Sequence, residues 1–271
     1  VYGAYVDLGN SASVGLFGLC DGATISNLSL KDSYIIGKQY VGGISGSSKG
    51  ESLFYNCSNQ AVIRGERMVG GIVGCDDDGV FRYCCNAGDI IATGSDAGGI
   101  VGYSHGEAAN FATGTVEYCY NIGSVTAASG VGGISGTVAY TSDCYNAGIV
   151  KATKQTVGAI SGGLSAISPT SVRNYIRRCY NVGTVACASE TNVDIVVGSR
   201  GYFTSVSNVY WMDSMPNVDL GEGNWHFPNL AGGFTDEEMR NPENFSGFDF
   251  VNTWYIDENS EYPYPQLVFP E

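Results

Sequence analysis

The sequence predicts an all-β chain, a parallel β-solenoid of short glycine-rich coils, on three observations. A four-residue unit (Gly, large apolar, small or apolar, Gly) recurs through most of the chain. A second unit, reading Cys-Tyr-Asn-x-Gly-x-Val at its clearest, follows each copy. The residues around both are Gly, Val, Ile, Ser, Thr and Tyr, which favour strands and turns over helices.

The first unit stands as Gly15-Leu16-Phe17-Gly18, Gly43-Ile44-Ser45-Gly46, Gly71-Ile72-Val73-Gly74, Gly99-Ile100-Val101-Gly102 and Gly133-Ile134-Ser135-Gly136. Ala159-Ile160-Ser161-Gly162 is a near copy and Ile195-Val196-Val197-Gly198 a degenerate one. Successive copies start 28, 28, 28, 34, 26 and 36 residues apart. Such a period is the mark of a repeat architecture. Gly42-Gly43, Gly70-Gly71 and Gly132-Gly133 would each weaken a helix by about 1 kcal/mol per Gly, and regularly spaced leucines are absent. One coil cannot bury its apolar face alone, so coils stack at about 4.8 Å and equivalent side chains form ladders. About six to seven coils of a parallel, right-handed β-helix are expected over residues 1–210.

The ladders are assigned in turn. Leu16, Ile44, Ile72, Ile100, Ile134 and Ile160 are expected in the core. Cys57, Cys84, Cys119, Cys144 and Cys179 share one position with Leu28 and Val209, so this column should face inward. Parallel ladder neighbours hold their Cβ atoms farther apart than the roughly 3.8 Å of a disulfide, so inert free thiols are expected. The next column, with Ser29, Ser58, Cys85, Tyr120, Tyr145, Tyr180 and Tyr210, has an outward composition, and Tyr120, Tyr145 and Tyr180 form a candidate ligand face. Asn59, Asn86, Asn121, Asn146 and Asn181 are expected at a turn where stacked amides bond one another.

Composition changes after about residue 210. Trp211, Trp225 and Trp254 and six of the seven prolines lie there. Thr235 to Glu238 has the pattern of a capping box. Residues 211–271 are therefore expected to form an aromatic-rich cap over the open end of the solenoid, where unpaired edges invite aggregation.

The two recurrent units resemble the GLUG-motif repeats of bacterial surface proteins, including adhesins and the non-catalytic parts of IgA-peptidase-like proteins. The resemblance covers about residues 14–210. It implies secretion, a β-helical array and a bacterial cell-surface or extracellular setting, and supplies no catalytic residues.

The charge narrows the partners. The formal net charge is −14, which disfavours nucleic acid and anionic membrane surfaces. No apolar run reaches the roughly 20 residues of a membrane helix. No cofactor or metal motif is present: the cysteines lack CxxC spacing.

One cluster could carry chemistry. Asp76, Asp77 and Asp78 follow the third coil's Gly unit, and His105 lies one coil later. Paired carboxylates beside a His faintly resemble a polysaccharide-hydrolase site of the two-carboxylate kind. The flanking residues do not match, and a solvated acidic turn is the preferred reading. Three adjacent side chains on one turn also cannot converge on one Ca²⁺. His226 is expected to pack among Trp225, Phe227 and Pro228. The expected function is thus a non-catalytic, monomeric adhesion or spacer module whose partner is a host or cell-surface protein or a glycan. The alternative is a polysaccharide-active enzyme using Asp76, Asp77, Asp78 and His105.

Overall fold

The computed structural model describes residues 1–104, 114–138, 140–164, 175–188, 193–194, 196–199, 205–214 and 232–270. It is an all-β parallel solenoid of about six turns with almost no helix. Among the described residues, one broad sheet of 18 short strands and two seven-stranded sheets make up the coils, and every strand pair between coils is parallel.

The third coil shows the plan. Arg67–Gly70 lies in the first narrow sheet and Val73–Asp76 in the second. Val80–Arg82, Cys85–Asn86 and Ile90–Ala92 lie in the broad sheet. The Gly-apolar-apolar-Gly unit makes the corner between the two narrow sheets. Its Ile44, Ile72, Ile100, Ile134 and Ile160 are buried in the core as expected, while Leu16 in the first coil is partly covered. Phe54 and Phe81 stack inside the coil with ring centroids 5.1 Å apart.

The glycine of this corner is required by a close approach. A Cβ on Gly71 would overlap the Gly99 carbonyl and press on the Asn86 side chain, and one on Gly99 would meet Gly133 and Asn121 in the same way. The two sequence units are therefore two sides of one contact: the corner glycine leaves room for the Asn ladder of the broad sheet.

That ladder is continuous. Asn59, Asn86, Asn121 and Asn146 each donate from Nδ2 to Oδ1 of the next member, ending on Asn181, at 2.7, 2.8, 2.8 and 2.7 Å. Each amide also bonds the backbone two residues on, as in Asn86 Nδ2 to the Gly88 carbonyl at 3.0 Å. All five are buried. Buried amides are tolerable because their donors and acceptors are matched in register. Leu30 and Trp211 occupy the flanking positions, so the amide row ends against apolar side chains at both ends.

The cysteine ladder also faces inward, and Cys57, Cys84, Cys119, Cys144 and Cys179 form no disulfide. Most of these thiols lie within hydrogen-bond range of the carbonyl two residues back, for example Cys144 to Ser142 at 3.1 Å. Burial pushes the Cys144 and Cys179 thiols well up, so they stay protonated and unreactive.

Before each member of this column the backbone turns left-handed on a residue other than glycine: Asn27, Asn56, Tyr83, Tyr118, Asp143, Arg178 and Asn208, with φ between 50° and 55°. That conformation costs an L-residue about 1–2 kcal/mol. Pairing between coils offsets it. Asn56 bonds Asn27 at 2.7 Å, Tyr83 stacks on Tyr118 at 5.0 Å, and Arg178 binds Asp143 with two bonds of 2.7 and 2.5 Å.

The C-terminal segment is rich in packed aromatics, as expected. Gly233–Phe234 adds a strand beside Ser205–Met212 at the last coil. The remainder of 232–270 packs on the solenoid as an aromatic cluster and runs along its flank, over the tyrosine column. Phe234 and Phe245 pack on Tyr210, Trp254 and Tyr262 on Tyr145, and Phe269 on Tyr120 and Tyr83. A row of stacked rings offers an aromatic segment a continuous apolar surface.

Candidate functional site

The aspartate turn stands where the second narrow sheet passes to the broad sheet. Asp76 ends the strand Val73–Asp76. It is 0% exposed, which corrects the expectation of a solvated acidic turn for this residue. Its Oδ1 accepts from Ser48 Oγ at 2.5 Å and from the Gly79 N–H at 2.8 Å. Its Oδ2 accepts from Ser104 Oγ at 3.1 Å and from the same N–H at 3.0 Å. Ser48, Asp76 and Ser104 are register partners on consecutive coils, so the carboxyl ties three coils together and caps its own turn. Burial pushes the carboxyl up to about 7, against the hydrogen bonds from Ser48, Gly79 and Ser104 that favour the charged form.

Asp77 and Asp78 are directed elsewhere. Asp77 is exposed, while Asp78 is half-buried and accepts from the Glu51 N–H of the preceding coil at 3.0 Å. The three carboxyls therefore do not converge, because one points into the coil, one into solvent and one along the stack. His105 lies outside the described residues, as do His226, Trp225 and the rest of 215–231. Among the described residues no group of three or more His, Cys, Asp or Glu side chains is placed to hold a metal ion.

The expected tyrosine face is corrected too. Tyr120, Tyr145 and Tyr180 do form a column pointing out of the coil, stacked at 4.9 and 5.0 Å. The C-terminal segment covers them: Tyr180 is 0% exposed, and its hydroxyl bonds the Pro265 carbonyl and, at 2.8 Å, the Tyr262 hydroxyl. Burial raises the Tyr145 and Tyr180 hydroxyls well above their ordinary value. The segment closes Tyr145 and Tyr180 to a ligand and leaves Tyr120 half-buried.

Sequence reasoning missed another outward patch. Tyr140, Ser142 and Asp143 of the fifth coil lie beside their partners Tyr175, Arg177 and Arg178 on the sixth; Ser142 and Asp143 are buried, while Tyr140, Tyr175 and Arg177 are half-buried. The rings of Tyr140 and Tyr175 lie 4.7 Å apart at 45°, and the Arg177 guanidinium stands 4.4 Å over the Tyr175 ring. The only signal was an aromatic at the same offset before Cys in two consecutive copies.

No protein-family model matches the chain, and no curated protein matches it. A search of solved structures finds a crystal structure of a "putative immunoglobulin A1 protease" from Bacteroides ovatus. The likeness has a TM-score of 0.61 at 19% identity, covering 98% of this chain and 87% of that one. The two share a fold. The identity is too low to carry residues or activity from one to the other.

Proposed function

We propose that this chain is a non-catalytic extracellular repeat module of a larger bacterial surface or secreted protein, acting in adhesion by holding binding surfaces on a rigid rod. The observation that carries the reading is where the polar side chains go. The recurrent Asn and Cys columns and Asp76 are all turned inward and spent on bonds between coils. Chemical variety is left to the outward columns, a division suited to presentation. The motif resemblance to GLUG repeats of surface proteins supports the extracellular setting, as does the fold shared with the Bacteroides ovatus protein.

The enzyme reading has less support. An acid catalyst must reach the bond it protonates, and both Asp76 oxygens are bonded inside the coil.

The test is presentation of the immobilised full chain to arrays of glycans and of cell-surface proteins. A ligand retained and recovered intact supports the reading. A ligand recovered shortened overturns it in favour of catalysis.

A further inference from the structure

The broad sheet carries three arginines in one neighbourhood, and two of them are neutralised. Arg178 is held by Asp143 in a two-bond pair, and Arg82 Nε binds Glu117 at 3.0 Å. Arg177 has no carboxylate partner among the described residues. It lies over the half-buried Tyr175 ring instead, and its Nε is buried with no acceptor. Arg64 on the same sheet also lacks an ion pair among the described residues; what distinguishes Arg177 is that its guanidinium is seated on a ring. The cation–π contact fixes the guanidinium plane beforehand, and a planar fork matches a carboxylate with two parallel bonds.

Its surroundings suit a sugar. Tyr140 and Tyr175 supply half-exposed rings on adjacent coils, on which the apolar face of a pyranose can stack. Glu117, two register steps from Arg177 through Ser142, offers a carboxylate to hydroxyl donors and already accepts from Ser142 Oγ at 3.5 Å. The apolar rings, the acceptor and the lone cation are thus ordered across the coils. We infer that the Tyr140–Tyr175–Arg177 patch is a binding site for an acidic saccharide, with the sugar carboxylate on Arg177 and the ring stacked on the tyrosines. The site deepens the adhesion reading and rests on it.

The carboxylate can belong to a hexuronate or to a sialic acid, and titration of the full chain by calorimetry distinguishes them. The probes are a galacturonic acid oligomer and a sialic-acid-terminated trisaccharide, each beside its uncharged counterpart. The expected result is that one acidic probe binds at least about tenfold tighter than its neutral partner. Arg177→Gln is expected to lose about that factor, and Arg177→Lys to recover part of it because charge returns without the fork. Tyr175→Ala should weaken binding as well, while Tyr5→Ala, on the strand that precedes the first coil, leaves it unchanged. Unaltered circular dichroism of each variant shows that the fold is kept. The inference is overturned if neither acidic probe binds at millimolar concentration, if acidic and neutral probes bind alike, or if Arg177→Gln binds as well as the parent. None of these results shortens a ligand, so this failure is separable from failure of the non-catalytic reading.

Discussion

Asp76 shows how one residue can look catalytic and act structurally. Its raised carboxyl comes first from burial, and its hydrogen bonds reduce the shift without cancelling it. Between the ordinary value of 3.8 and about 7, the folded chain keeps a proton that the unfolded chain has released. Stability therefore falls as pH rises through that window and levels off above it, with a slope of up to about 1.4 kcal/mol per pH unit. Asp96 is raised as well, again by burial, and adds to the same trend. Chemical denaturation followed from pH 4 to pH 8 should show the decline, and Asp76→Asn should flatten most of it. An equal slope in the variant would remove the structural role assigned to this carboxyl.

At the scale of elements, the ladders and the aromatic C-terminal segment were legible in the sequence, and the path of that segment over the tyrosine column was not. A column that accepts Cys, Leu and Val must be inward. A column that repeats Asn five times is most easily explained by amides bonding each other, which the structure bears out from Asn59 to Asn181. The tyrosine column was misread because its cover comes from residues far along the chain. Outward from a coil and outward to solvent are different statements, and periodicity reports only the first. Asp76 was misread for a related reason: Asp-Asp-Asp reads as solvated, whereas Ser48 and Ser104, one coil away on either side, supply donors that no local pattern reveals. The patch at Tyr140, Tyr175 and Arg177 was hidden because its members come from two coils of unequal length. The flanking segment makes its own prediction. Trp254 is buried among Tyr145, Tyr180 and Phe248, so Trp254→Ala should lower unfolding free energy by about 3–5 kcal/mol. The same substitution should make the Tyr145 and Tyr180 hydroxyls titrate closer to the ordinary tyrosine value. A variant with unchanged stability would mean that the segment merely rests on the solenoid.

For the whole molecule, stacking lets a thin coil with few side chains inside become a stable body. Each coil supplies the acceptor for its neighbour's amide, thiol and backbone donors, so its interior is committed to the coils on either side. The column before the cysteines is paired between coils as well, but by chemistry that varies along the stack, from Asn27–Asn56 to Tyr83–Tyr118 to Asp143–Arg178. The central claim is that interior polar groups hold the rod and perform no chemistry. The measurement that tests it most directly is release of reducing ends from a broad polysaccharide panel by the parent chain and by Asp76→Asn. The account predicts no release that depends on Asp76, with the variant at least as stable as the parent at pH 8. Turnover by the parent that Asp76→Asn abolishes, in a variant that remains folded, would contradict it.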